Sequence, residues 1–108
     1  MTIRPGEFWI AEIPFTSGVA SKKRPVLILW LDGADVVCAA VTSAQPRSPN
    51  DVGLADWQAA GLRLPSTVRL SRLDCLENRR MIARIGAITS ADGELVKRIW
   101  HARIHPHF

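Results

Sequence analysis

The 108-residue chain has two cysteines, Cys38 and Cys75, and no tyrosine. Two thiols are too few for a disulfide framework, and both are expected as small residues in or near the core. No apolar run approaches the roughly 18 to 20 residues that a membrane-spanning helix needs. The start, Met1-Thr2-Ile3-Arg4-Pro5-Gly6, has no apolar stretch behind its arginine, so a secretory signal is not expected. A cytoplasmic protein without a membrane partner is the expectation. Also missing are a serine elbow, a glycine-rich phosphate loop, a CxxC pair and a Ser/His/Asp order worth defending. His101, His105 and His107 lie near the carboxy end without a cysteine or acid cluster beside them. They are expected to form a solvated tail rather than a metal site, and their role stays open. With no repeat, linker or low-complexity tract, residues 1–108 are expected to form a single domain.

What is present is a basic, core-forming chain. Hydrophobic residues make up 47 %, and the net charge is +4 with a pI near 9.8. That balance favours a polyanionic partner. Positive charge gathers in Lys22-Lys23-Arg24, in Arg69, Arg72, Arg79, Arg80 and Arg84, and in the last helix.

In order, the pattern predicts a strand at 7–13, introduced by Pro5-Gly6, and a polar loop at 15–23 that contains Thr16, Ser17 and Gly18 and is placed to cover a site. Pro25 to Trp30 has no polar side chain and reads as a strand buried on both faces. An Asp32-Gly33 turn leads into an antiparallel partner at 35–41. A short edge strand is expected at 51–54, one or two helical turns at 55–61, and a strand at 66–70 with Thr67 and Arg69 on one face. A connector at 71–80 precedes a strand at 81–88. Thr89-Ser90-Ala91-Asp92 has the form of a capping box, followed by a helix with Leu95, Ile99 and Ala102 inward. Five or six short strands and one helix imply a mainly β fold, a small bent antiparallel sheet closed into a barrel with a carboxy-terminal helix. Trp9, Trp30 and Trp100 are expected in the core, while Trp57 is divided between a local core contact and a binding role.

One geometric inference bears on chemistry. In an antiparallel hairpin the end of one strand lies beside the start of its partner, so Arg24 and Thr42 become neighbours. Arg24, Thr42, Ser43 and Arg69 then suit an oxyanion or phosphate, because a guanidinium pairs with phosphate in a planar fork. Composition and spacing leave two readings open, such a site or simply two surface arginines.

The chain resembles the MazF/PemK family of toxin endoribonucleases. The resemblance rests on Arg4-Pro5-Gly6-Glu7-Phe8-Trp9, Lys23-Arg24-Pro25-Val26-Leu27-Ile28, Ala40-Val41-Thr42-Ser43, Gly61-Leu62, Pro65-Ser66-Thr67-Val68-Arg69-Leu70 and Ile85-Gly86, in that order. It implies an SH3-like barrel and usually a homodimer. It further implies metal-independent cleavage of single-stranded RNA at short motifs, with no cofactor, and neutralisation by a cognate antitoxin encoded nearby. DNA is a further partner for the toxin–antitoxin complex. The 2′-OH of the RNA attacks the adjacent phosphate to leave a 2′,3′-cyclic phosphate and a 5′-OH. By this resemblance Arg24, Thr42 and Arg69 are the catalytic residues, and Lys22, Lys23, Ser43, Thr67 and Ser71 are substrate contacts. Two departures stand out. Ser71 occupies a position where several relatives have aspartate, and Val19-Ala20 follow Gly18 where a glutamate is common. They keep a second expectation alive, a non-catalytic SH3-like module that binds nucleic acid or peptide.

Overall fold

A computed structural model of the protein describes residues 2–15 and 17–108. Thr16, named in the loop above, lies outside the described residues. The chain runs β1 (Glu7–Pro14), β2 (Ser21–Asp32), β3 (Asp35–Thr42), β4 (Asp51–Gly53), β5 (Thr67–Glu77), β6 (Met81–Ala87) and α1 (Ser90–Arg103), with a 3-10 turn at Asn78–Arg80. All strand pairs are antiparallel, in the order β4-β5-β3-β2-β1-β6. The mainly β fold with one terminal helix is therefore as the sequence implies.

Three successive buried residues, Val26, Leu27 and Ile28, explain the unbroken apolar run of β2. Alternate side chains point to opposite faces, and here both faces are covered. One core holds Phe8, Leu27, Ala39, Val41, Val68 and Leu70 beneath α1, and the other holds Trp9, Ala11, Val26, Ile28, Cys38 and Met81. Cys38 is fully buried, and desolvation pushes its thiol up to about 12, so it stays protonated as a small apolar residue.

The sheet ends, β4 and β6, are not hydrogen-bonded to each other. The loop after β4 closes the gap. A methyl group added at Gly86 in β6 would stand 1.9 Å from the carbonyl oxygen of Ala60, and one at Gly61 would stand 2.6 Å from that of Ile85. Only glycine permits so close an approach of two backbones. Asp92 in α1 ties the same loop from the other side by accepting the backbone N–H groups of Ala55 at 3.1 Å and Asp56 at 2.8 Å. Asp56 in turn accepts the hydroxyl of Thr89, which caps the helix by accepting the backbone N–H of Asp92.

Several expectations need correction. The hairpin pairs Asp32 with Asp35, so the two loop residues are Gly33 and Ala34, with Gly33 at φ +61 and no positive φ at Ala34. That is the pattern of a type II′ turn rather than an Asp-Gly turn. Ser21, Lys22 and Lys23 belong to β2, because they pair with Pro14, Ile13 and Glu12. The loop shrinks to 15–20, where Phe15 donates its N–H to Ala20 and Gly18 donates to Phe15. Most of the expected connector is strand, since β5 runs to Glu77. Residues 57–61 form turns rather than a regular helix, with a single helical-type bond from the Ala60 N–H to the Asp56 carbonyl at 3.1 Å. In α1, Leu95 and Ile99 pack against the core as expected, joined on the inward side by the buried Asp92 and Val96, but Ala102 is exposed. Cys75 is exposed. Trp30 is 43 % exposed and meets Trp100 edge to face at 5.6 Å.

Candidate active site

A groove of about 870 Å³ opens where β2 begins and β3 ends. Its position follows from register. Near the turn, Leu31 pairs with Val36 and Trp30 with Val37; beyond an irregularity at Leu29, Ile28 pairs with Cys38 and Val26 with Ala40. The paired ladder ends there; extended two residues further, its register would set Arg24 beside Thr42, and both line the groove. Without the extra residue at Leu29 it would set Arg24 beside Ser43, so the bulge selects the threonine.

Lys22, Arg24, Thr42 and Ser43 all line the groove. Thr42 is half-buried, and its Oγ1 accepts the N–H of Ala44 at 3.1 Å. That leaves its O–H to donate to a ligand. Arg24 is half-buried at the rim of β2, next to the ring of Pro25 and the buried Val26. Among the described residues it has no acidic partner within ion-pair reach, in contrast to Arg69, Arg79, Arg80 and Arg84.

Other expected residues lie elsewhere. Lys23 sits opposite Glu12, on the other face of β2 from Lys22 and Arg24, and does not line the groove. Thr67 is buried, paired with Thr42 on one side and Gly53 on the other. Arg69 is not in the groove lining. Its Nε donates to Asp51 at 3.3 Å, and that carboxylate is 1 % exposed. Burial pushes the Asp51 carboxyl upward, but the N–H of Arg47, the guanidinium of Arg69 and the N–H of Ser48 outweigh it and hold the group below its ordinary range. Ser71 stands in a three-residue bulge of β5, between the pairs Ala39 with Leu73 and Ala40 with Arg69. Its hydroxyl accepts from Asn50 Nδ2 at 2.9 Å, and Asn50 Oδ1 accepts from Arg103. Trp57 packs against the core and is no part of the groove.

Two cations in the lining escaped the sequence reading, Arg63 from the docked loop and Arg84 from β6. Four cations, Lys22, Arg24, Arg63 and Arg84, thus line one groove whose lining includes no carboxylate. Leu62, Leu64 and Ile85 give it an apolar side. No regular alternation marks Arg84, because bulges interrupt β6 on both sides of it. Another hollow of about 500 Å³ lies between β2 and the start of α1, but Lys97 and Glu94 offset each other at its rim. Among the described residues no three His, Cys, Asp or Glu side chains gather at one point, and no helix is long and apolar enough to cross a membrane.

The structure is thus a small curled antiparallel sheet with a groove at one end that four cations and no carboxylate line, a surface complementary in charge to a polyanion. Its family is set by sequence: the profile of the PemK-like, MazF-like toxin of type II toxin–antitoxin systems matches residues 4–101, and the chain belongs to that family. The fold is shared with an endoribonuclease in complex with its cognate antitoxin from a Mycobacterial species, at TM-score 0.76 and 16 % identity over 97 % of this chain and 100 % of that one. It is shared too with the Mycobacterium tuberculosis toxin MazF-mt6, at 0.70 and 23 % over 92 % and 95 %. The MazE-MazF structure from Deinococcus radiodurans matches at 0.71 and 15 % over 94 % and 93 %. Among curated proteins none matches by sequence.

Proposed function

We propose that this toxin-family chain is an endoribonuclease that cleaves single-stranded RNA in the groove between β2 and β3, by attack of a ribose 2′-OH on the adjacent phosphorus. The observation that carries the reading is Arg24, a half-buried arginine without an acidic partner among the described residues, which lines one cationic groove together with Thr42. An unpaired cation in such a place gains most from an anionic ligand.

In the reaction the O2′–P bond forms and the P–O5′ bond breaks. The 2′-OH proton passes to water, and the departing 5′ oxygen takes one from water. The products are a 2′,3′-cyclic phosphate and a 5′-OH. Because the nucleophile belongs to the substrate, no activated serine or metal-bound water is needed. The protein aligns the phosphate and offsets the charge that grows on its oxygens. Arg24 supplies the bidentate cation and Thr42 a hydrogen bond to the same phosphate. Arg24 stays protonated throughout and acts as an electrostatic group, not a base. Ser43 and Lys22 hold the strand on either side. A homodimer in the cytoplasm, neutralised by an adjacent-encoded antitoxin, completes the reading.

The second reading, a module that holds RNA without cutting it, is favoured by one observation: no carboxylate or imidazole lines the groove to move a proton. Incubation of antitoxin-free protein with varied single-stranded RNAs separates the two. Cleavage by the wild type that Arg24→Ala abolishes supports the enzyme. Intact RNA that is nonetheless bound supports the module.

A further inference from the structure

Arg84 comes to the groove by a route of its own. β6 pairs Gly86 with Phe8 and Arg84 with Trp9, which leaves Ile85 as an extra, unpaired residue. Such a bulge re-aims the side chain next to it. Arg84 then shares a sheet face with its partner Trp9 and with Glu7, two residues before Trp9.

Glu7 is 8 % exposed, with three donors around it. Oε1 accepts the N–H of Arg4 at 2.7 Å and the indole of Trp9 at 3.1 Å, and Oε2 accepts Nε of Arg84 at 2.6 Å. Burial pushes the carboxyl upward, but these donors outweigh it and keep the group ionised below its ordinary range. The indole and the Arg4 amide are part of the scaffold, so the carboxylate is fixed before it meets Arg84. The arginine side chain is 50 % exposed and lines the groove. Its bond to Glu7 runs through Nε, which leaves two terminal nitrogens for a ligand.

We infer that Arg84 holds a phosphate of the bound strand next to the one at Arg24, and that Glu7 is the positioning residue that fixes the Arg84 fork. The inference rests on the RNA reading above. β1 separates β2 from β6, so the two arginines start two strand spacings apart, roughly 9.5 Å. They are also offset along the sheet, since Arg24 faces Ala11 and Arg84 faces Trp9. That separation suits two phosphates of one strand rather than one shared anion.

Charge and position make opposite predictions for Glu7. Glu7→Gln keeps acceptors for Trp9 and Arg4 and adds one positive charge to the groove. If Glu7 served only to offset charge, RNA would bind more tightly; as a positioning residue, its loss weakens binding.

The test measures binding of a mixed-sequence, fully 2′-O-methylated RNA strand, which cannot be cut, by fluorescence anisotropy across a salt series. Thermal midpoints are taken alongside. Arg84→Ala, at a half-exposed site, is expected to weaken binding about five- to tenfold and to flatten the slope of log K against log salt by about 0.7. Arg84→Lys keeps the charge but lacks the fork, so it recovers the slope and not the affinity. Glu7→Gln should weaken binding in the wild-type background and add nothing to Arg84→Ala. Tighter or unchanged binding by folded Glu7→Gln, or an equal loss with and without Arg84, overturns the positioning role. Wild-type binding that Arg84→Ala leaves intact overturns the phosphate contact and spares the RNA reading, whereas a wild type that binds no strand overturns both.

Discussion

Arg24 owes its place to three neighbours: a proline that starts the buried part of β2, a bulge at Leu29 and a hairpin partner that ends at Thr42. Its removal is expected to lower kcat about 10²- to 10³-fold, as for other groups that stabilise a developing oxyanion, with little change in thermal midpoint. Arg69 offers the contrast. Thr67 and Arg69 share a face, as alternation predicts, but the sequence does not say that β4 brings the buried Asp51 to meet the guanidinium. Arg69→Ala leaves that carboxylate buried without its cation and is expected to cost about 3–5 kcal/mol in urea unfolding. Asp51 and Glu7 also give stability a pH dependence. Both titrate below their ordinary values of 3.8 and 4.5 in the folded chain, so the unfolded chain binds more protons over the range between. Their contribution is complete above the ordinary values and is lost as pH falls through the folded ones. Thermal melts should be flat between about pH 7 and 5 and fall below about 4; in Asp51→Asn that acid fall should shrink.

At the scale of elements, the strands were legible wherever apolar runs met glycine or proline, and the capping box marked the start of α1. The bulges were not. A bulge shifts register by backbone geometry that no side-chain pattern announces, which is why nothing in the sequence brought Arg84 to the groove that Arg24 and Thr42 line. The docking of residues 55–64 on β6 was equally hidden, because it rests on the contact of Gly86 with the Ala60 carbonyl. Gly86→Ala forces that contact apart and is expected to cost about 3 kcal/mol or more. Hydrogen exchange locates the damage: the amide of Leu62, bonded to the Trp57 carbonyl, should lose protection before the amides of β2 and β3 do. Asp92→Ala removes two backbone tethers of the same loop and should loosen it from the helix side, with a cost of about 1–3 kcal/mol.

For the whole molecule, the ordered set of short motifs conveyed more than any one of them. The family match over residues 4–101 and the shared fold agree with the barrel and terminal helix read from the chain. Composition had already pointed to a polyanion, and the groove concentrates that charge at one end of the sheet. RNA affinity should therefore fall steeply with added salt. The account's central claim is chemical, that Arg24 and Thr42 serve cleavage by the substrate's own 2′-OH. End-mapping of single-stranded RNA after incubation with wild-type and Arg24→Ala protein tests it most directly. The expected result is a set of discrete cuts by the wild type, each leaving a 2′,3′-cyclic phosphate and a 5′-OH, and their loss in the variant. Cuts that leave a 5′-phosphate, or cuts that persist without Arg24, would contradict it.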